Sequence, residues 1–217
     1  MDLWYPKAIR LDGPAEKQGY AGITTRQGKG LIGHSAEGRF NAALAVLNST
    51  RQVSFCLFID YYGGTYQFYP LSAVTWHGGC VFANAHFVGV EHEGRAGEPL
   101  TRAQVASLAE FTAWLAEQED WPSIERRATL REHREMAEYG AAPTACPSGR
   151  IPWQEVIEMA TLIEELDARL KAVEGHLPLV DGVLAVHGEK LEAVDQHNAF
   201  ADAVIVNHEG RIKKLEK

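Results

Sequence analysis

The chain has 217 residues, 46% of them hydrophobic and 23% charged, which is ordinary globular material and enough for one sizeable domain with an appendage. A formal charge of −8 argues against nucleic acid as a partner, because that binding rests on Lys and Arg neutralising phosphates. No apolar run approaches a membrane span, residues 1–10 lack the apolar stretch of a signal peptide, and three cysteines give no disulfide framework, so the sequence reads as a protein made in the cytoplasm with no exit of its own.

In chain order, Leu31-Ile32-Gly33-His34 reads as a buried strand that delivers His34 at its end. Residues 38–50 follow with helical spacing at Phe40, Ala43, Leu44 and Leu47, and a strand followed by a helix points to an α/β class. Residues 53–60 and 64–71 flank Tyr61-Tyr62-Gly63-Gly64, whose glycines supply the positive φ that a tight hairpin needs. Residues 86–93 form a further strand, with Val88, Val90 and His92 on one face and Gly89 and Glu91 on the other. Thr101 with Gln104 is a capping box ahead of the stripe Val105, Leu108, Phe111 and Leu115, which predicts a helix over 101–118. Another helix is predicted from Trp153 to about Leu170, with Pro152 at its first turn. The expected fold is α/β, a mixed central sheet flanked by helices, with a helical appendage at the C-terminal end.

Three side chains far apart in sequence have the chemistry of one metal site. Zinc takes imidazole nitrogen and thiolate sulfur in a tetrahedral shell, and three protein ligands leave the fourth position open, as catalytic sites do. His34, His133 and Cys146 make such a set, although 9 His and 3 Cys also produce sets of this kind by chance. His34 alone reads equally well as a hydrogen-bonded histidine at a sheet edge. Cys146 alone reads as a small buried hydrophobe, but its place in Thr144-Ala145-Cys146-Pro147, a turn that cannot continue a helix, favours a ligand. His77, after Trp76 in a Gly-rich stretch, is either a surface loop histidine or a groove residue that holds substrate or supports a ligand. Glu91 is either a strand carboxylate facing solvent or one aimed at a water on the metal, since a carboxylate within an apolar strand is costly without a partner.

The sequences around these residues resemble the type-2 N-acetylmuramoyl-L-alanine amidases, the family that includes the peptidoglycan recognition proteins. GLIGHSAEG is similar to the family's strand-end His, and SFCLFIDYYGGTYQFYPLSAVTWHGG to its central hairpin followed by a Trp-His pair. ANAHFVGVEHEG is similar to the strand with the acidic residue, and EHREM with TACPSGRIPW to the second His and the Cys-Pro turn. These matches run in the family's order from about residue 30 to about residue 157. The nearest look is to the amidase modules of endolysins from phages of actinobacteria, which WYPKAIR before EKQGYAG also fits. The resemblance implies zinc held by His34, His133 and Cys146, Glu91 as general base, and Thr144 and His77 as further catalytic residues. It implies hydrolysis, in bacterial peptidoglycan, of the amide joining N-acetylmuramic acid to L-alanine of the stem peptide, by a protein that waits in the host cytoplasm until lysis. The charge of −8 gives no help toward an anionic wall, so wall affinity falls to groove contacts or another element. Two positions differ from the phage type: Phe55 stands where relatives have Tyr, and Thr144 where they have Lys, so a hydroxyl replaces a cation. The alternative is a module of the same fold that binds muropeptides without turnover, although such proteins usually lack a metal ligand and all three are present here.

The resemblance says nothing of the C-terminal end, so residues 1–175 are expected as the amidase domain and 176–217 as a helical segment. Alternating spacings of three and four run from Ile163 to Leu215 and mark a heptad seam interrupted by His187, Asn198 and His208. Pro178, between Gly175 and Gly182, predicts that one helix stops near Gly175 and another begins near Pro178. Lys190 with Asp195, His197 with Asp202 and Arg211 with Glu216 have the spacing of parallel partners, Leu at a with Val at d leans toward three or four strands, and Asn198 would fix register. These features point to a homo-oligomer through this helix. Gly188, Gly210 and off-seam Val183, Val186, Phe200, Val204 and Val206 suit the alternatives, a helix folded back on the domain or a linker to a wall-binding domain.

Overall fold

A computed structural model describes residues 3–215, with side chains through Ala199 and at Asp202. The chain divides into two compact units, Met1–Glu165 and Leu166–Lys217. The first holds a six-stranded sheet of β1 (Ile9–Arg10), β2 (Gly30–Ser35), β3 (Leu57–Ile59), β4 (Thr65–Gln67), β5 (Phe87–His92) and β6 (Leu130–Glu132). Their order is β1-β4-β3-β5-β2-β6, with β3–β4 the antiparallel pair and every other neighbour parallel. The sheet is thus mixed, as the sequence predicts. Its helices are α1 (Phe40–Leu47), α2 (Val81–His86), α3 (Arg102–Gln118), a 3₁₀ turn over His133–Tyr139, and α4 (Trp153–Leu215).

The local chemistry explains why these segments stop and turn where they do. In the β3–β4 hairpin the Asp60 carboxylate accepts from the amides of Tyr62 and Gly64, both at 2.8 Å, and Gly63 adopts φ +86°. The capping box of α3 forms as expected: Thr101 Oγ1 accepts from the Gln104 amide while Gln104 Oε1 accepts from the Thr101 amide, each at 3.1 Å. β2 is buried along its whole length, which is why it reads as an apolar run and not as an alternation. Leu31, Val88 and Val90 face α3 and the start of α4, packing with Leu108, Phe111, Trp153 and Val156. Ile32 and Phe87 project to the opposite face, where they meet Ala83 of α2 and Met136 of the 3₁₀ turn.

The helix at the C-terminal end differs from expectation. No break occurs at Gly175 or Pro178; α4 is continuous from Trp153 to Leu215 with Pro178 inside it. Proline removes one helical hydrogen bond, but its fixed φ is close to the helical value. The segment around it is exposed, so water can satisfy the freed carbonyl. The compact unit ends at Glu165, earlier in the helix than the boundary suggested at 175. The seam side chains at 201, 205, 208, 212 and 215, and the Arg211–Glu216 pair, lie outside the described side chains. Among the described residues no helix is long and apolar enough to cross a membrane.

Candidate metal centre

Parallel pairing of three strands brings the site together. In β2 the alternation that turns Ile32 toward α2 turns His34 the same way, and the parallel register sets His34 beside Glu91 of β5. On the other side Gly33 pairs with Glu132 of β6, so the next residue, His133, enters beside His34, their ring centroids 4.7 Å apart. Cys146 arrives on the loop that follows the 3₁₀ turn. Its Sγ accepts from the Ser35 amide at 3.3 Å, its carbonyl accepts from the Arg134 amide at 2.8 Å, and its own amide donates to Thr144 Oγ1 at 3.2 Å. Ligand atoms of His34, His133 and Cys146 all lie within 4.8 Å of one another.

Arg150 anchors that loop. Buried, its guanidinium donates to Ser35 Oγ, to the carbonyls of His92 and Glu93, and to that of Glu98, at 2.6–3.2 Å. One side chain thereby ties the end of the Cys146 loop to the ends of β2 and β5.

A chain of ring nitrogens settles which atom of His34 is free. The Phe87 carbonyl, 3.1 Å from His77 Nε2, can only accept, so that nitrogen carries the proton. His77 Nδ1 then accepts from His34 Nε2 at 3.0 Å, which leaves His34 Nδ1 with an open lone pair toward Cys146 Sγ and Glu91, each at 3.9 Å. Burial keeps both rings neutral, holding His77 down at about 3 and His34 well below the ordinary imidazole range. Gly89 makes this arrangement sterically feasible. A Cβ there would lie 2.4 Å from His77 Cγ, so the ring occupies the place of the missing side chain.

The remaining donors suit a cation. Burial first, then the charges of Glu91, Glu37 and Glu132, push the Cys146 thiol up to about 12, against the opposing Ser35 amide. Burial and the Glu37 carboxylate likewise push Glu91 up to about 8, opposed by Arg150. Glu91 Oε2 is buried without a hydrogen-bond partner, as is Nε2 of His92. Two imidazoles, a thiol and a carboxylate with one unpartnered oxygen, gathered in one buried to half-buried corner, are a donor set that zinc accepts.

The residues singled out from the sequence separate clearly. His34, His133, Cys146 and Glu91 converge. His77 lies beneath His34, only 5% exposed, so it is a buried partner of that ring and not a residue lining a groove. Thr144 is exposed on the loop with its oxygen on the Cys146 amide. Phe55 is buried among Phe58 and Phe68. Arg150 and Gly89 escaped the sequence reading; a glycine inside a strand does signal close approach, but an Arg in a loop carries no such mark.

A mixed α/β sheet with a His, His, Cys cluster at neighbouring strand ends defines a class of domain built around a candidate metal centre. Residues 24–149 match the family model described as N-acetylmuramoyl-L-alanine amidase, and the chain belongs to that family. Solved structures agree in fold. The hydrolase AmiA from Staphylococcus aureus, in complex with its ligand, is 17% identical with a TM-score of 0.58, covering 75% of this chain and 87% of its own. A mutant endolysin from Bacillus subtilis is 17% identical with a TM-score of 0.54, over 70% of this chain and 97% of its own. The N-acetylmuramoyl-L-alanine amidase LysC from Clostridium intestinale is 19% identical with a TM-score of 0.51, over 70% and 95%. No curated protein sequence matches the chain.

Proposed function

We propose that the chain is a zinc-dependent peptidoglycan hydrolase that cleaves the amide between N-acetylmuramic acid and L-alanine of the stem peptide. The observation that carries this reading is the meeting of His34, His133 and Cys146 within 4.8 Å, beside Glu91, whose Oε2 is buried without a partner. A zinc ion held by those three would polarise the scissile carbonyl and make water acidic near neutral pH. Glu91 takes the proton from the attacking water and hands it to the departing amine, general acid–base work of about two to four orders of magnitude. His77 keeps His34 in the tautomer whose Nδ1 is free, a role that needs no contact with substrate. Thr144 spends its oxygen lone pair on Cys146, so its hydroxyl proton remains available for one hydrogen bond to the developing oxyanion.

The setting is that of a phage or prophage endolysin, made in the host cytoplasm and acting on the wall once released. Neighbours described as endolysins support it. Incubating the purified chain with peptidoglycan, with and without a chelator, and counting new L-alanine amino termini tests the chemistry. New termini should appear, vanish with chelator and return with zinc. Retention on peptidoglycan without any new terminus would make the chain a binding module.

A further inference from the structure

The second unit, from Leu166 onward, is one helix, and its described large apolar side chains, from Leu166 to Val194, are exposed. Leu166, Leu170, Leu177, Leu184 and Leu191 are 50–67% exposed, although each sits on the three-four seam that a coiled coil would bury. Taking Ile163 as position a, the helix-weakening residues fall off the seam: Pro178 at b, Gly175 and Gly182 at f, and Gly188 at e. An isolated helix carrying these residues holds poorly in water, whereas knobs and holes at a and d tolerate them.

The flanks identify the partner. Between 167 and 202 the e positions are Asp167, Glu174, Asp181, Gly188, Asp195 and Asp202, acidic at every place but one. The g positions carry Arg169, His176, Lys190 and His197, with Val183 opposite the one glycine. In a parallel, in-register coil each g residue meets the e residue five places on in the partner, so Arg169 meets Glu174 and Lys190 meets Asp195. In an antiparallel coil e faces e and g faces g, which would stack acid on acid along the whole length. The same acidic row disfavours an anionic lipid surface as the occupant.

We propose that the chain assembles with further copies of itself through a parallel, in-register coiled coil of this helix. Leu at a with Val at d favours three or four strands over two, and Asn198 at a fixes the register. On the proposed hydrolase reading, assembly places several copies of the amidase domain on one particle, which raises avidity for a polymeric wall.

Light scattering on the full chain at tens of micromolar should give a mass of three or four chains, and a monomer would overturn the proposal. Leu184→Asp combined with Leu191→Asp should yield a monomer that keeps the near-ultraviolet circular dichroism of the first unit. Persistence of the oligomer in that variant would place the contact elsewhere and sink the idea. Lys190→Glu should weaken association several-fold at low salt, and adding Asp195→Lys should restore it. A double variant as weak as the single one would exclude the parallel register.

Discussion

A carboxylate oxygen buried without a partner, as Oε2 of Glu91 is, is costly, and the proposed role of Glu91 as general base accounts for that cost. Glu91→Gln preserves its size and removes its basicity, so turnover should fall by about two orders of magnitude or more while bound zinc stays near one per chain. Full activity would move the base elsewhere. The same residue and Cys146 set a pH dependence. With the thiol at about 12 and Glu91 at about 8, both are protonated at pH 7 without metal, and a cation favours their ionised forms. Zinc binding should therefore release between one and two protons near neutral pH, and affinity should rise with pH. Isothermal titration in buffers of different ionisation enthalpy counts these protons, and Glu91→Gln should reduce the count to about one. No release would show that Cys146 does not bind as thiolate. At this scale the sequence was legible where chemistry is rare: two histidines and a cysteine in telling surroundings. It was mute about Arg150, whose four acceptors include three backbone carbonyls that only the fold gathers.

Elements show the same division for a different reason. β2, β5 and α3 were readable because their patterns are local: an apolar run, an alternation and a capping box. The α2 helix has six residues, an N-cap Cys80 with no side-chain hydrogen bond, and too few turns to show a period. β6 has three residues, and its pairing with β2 makes it a strand. The uninterrupted α4 overrode the proline rule because nothing around Pro178 is buried. Two substitutions test how elements hold the site. Thr101→Ala removes the cap of α3 and should cost about 1 kcal/mol by denaturant unfolding, with little effect on zinc affinity. Gly89→Ala puts a methyl where the His77 ring lies, so it should destabilise by about 1–3 kcal/mol and also weaken zinc binding, because the ring that orients His34 must shift. Unchanged zinc affinity in Gly89→Ala would detach His77 from the centre.

For the whole molecule, a zinc ion on the proposed ligands would link metal to fold. A ligand present at about a thousand times its Kd stabilises the folded state by about 4 kcal/mol, which for a chain of this size corresponds to roughly 8–16 °C in melting temperature. Calorimetry with and without chelator should show a loss of that order, and an unchanged melting temperature would contradict a tight site on His34, His133 and Cys146. The topology adds a consequence in time. β2 is made early, yet it lies between β5 and β6, which are both made later, and its His34 meets a cysteine 112 residues further along the chain. A ribosome adds about 5–20 residues per second, so His34 waits several seconds for Cys146 to be synthesised and longer for it to clear the exit tunnel. Until then β2 can pair with β5 but has nothing on its β6 side, and the candidate ligand set is incomplete. Catalytic competence cannot spread outward from an early nucleus and arrives only as the last strand and its following loop close on the sheet.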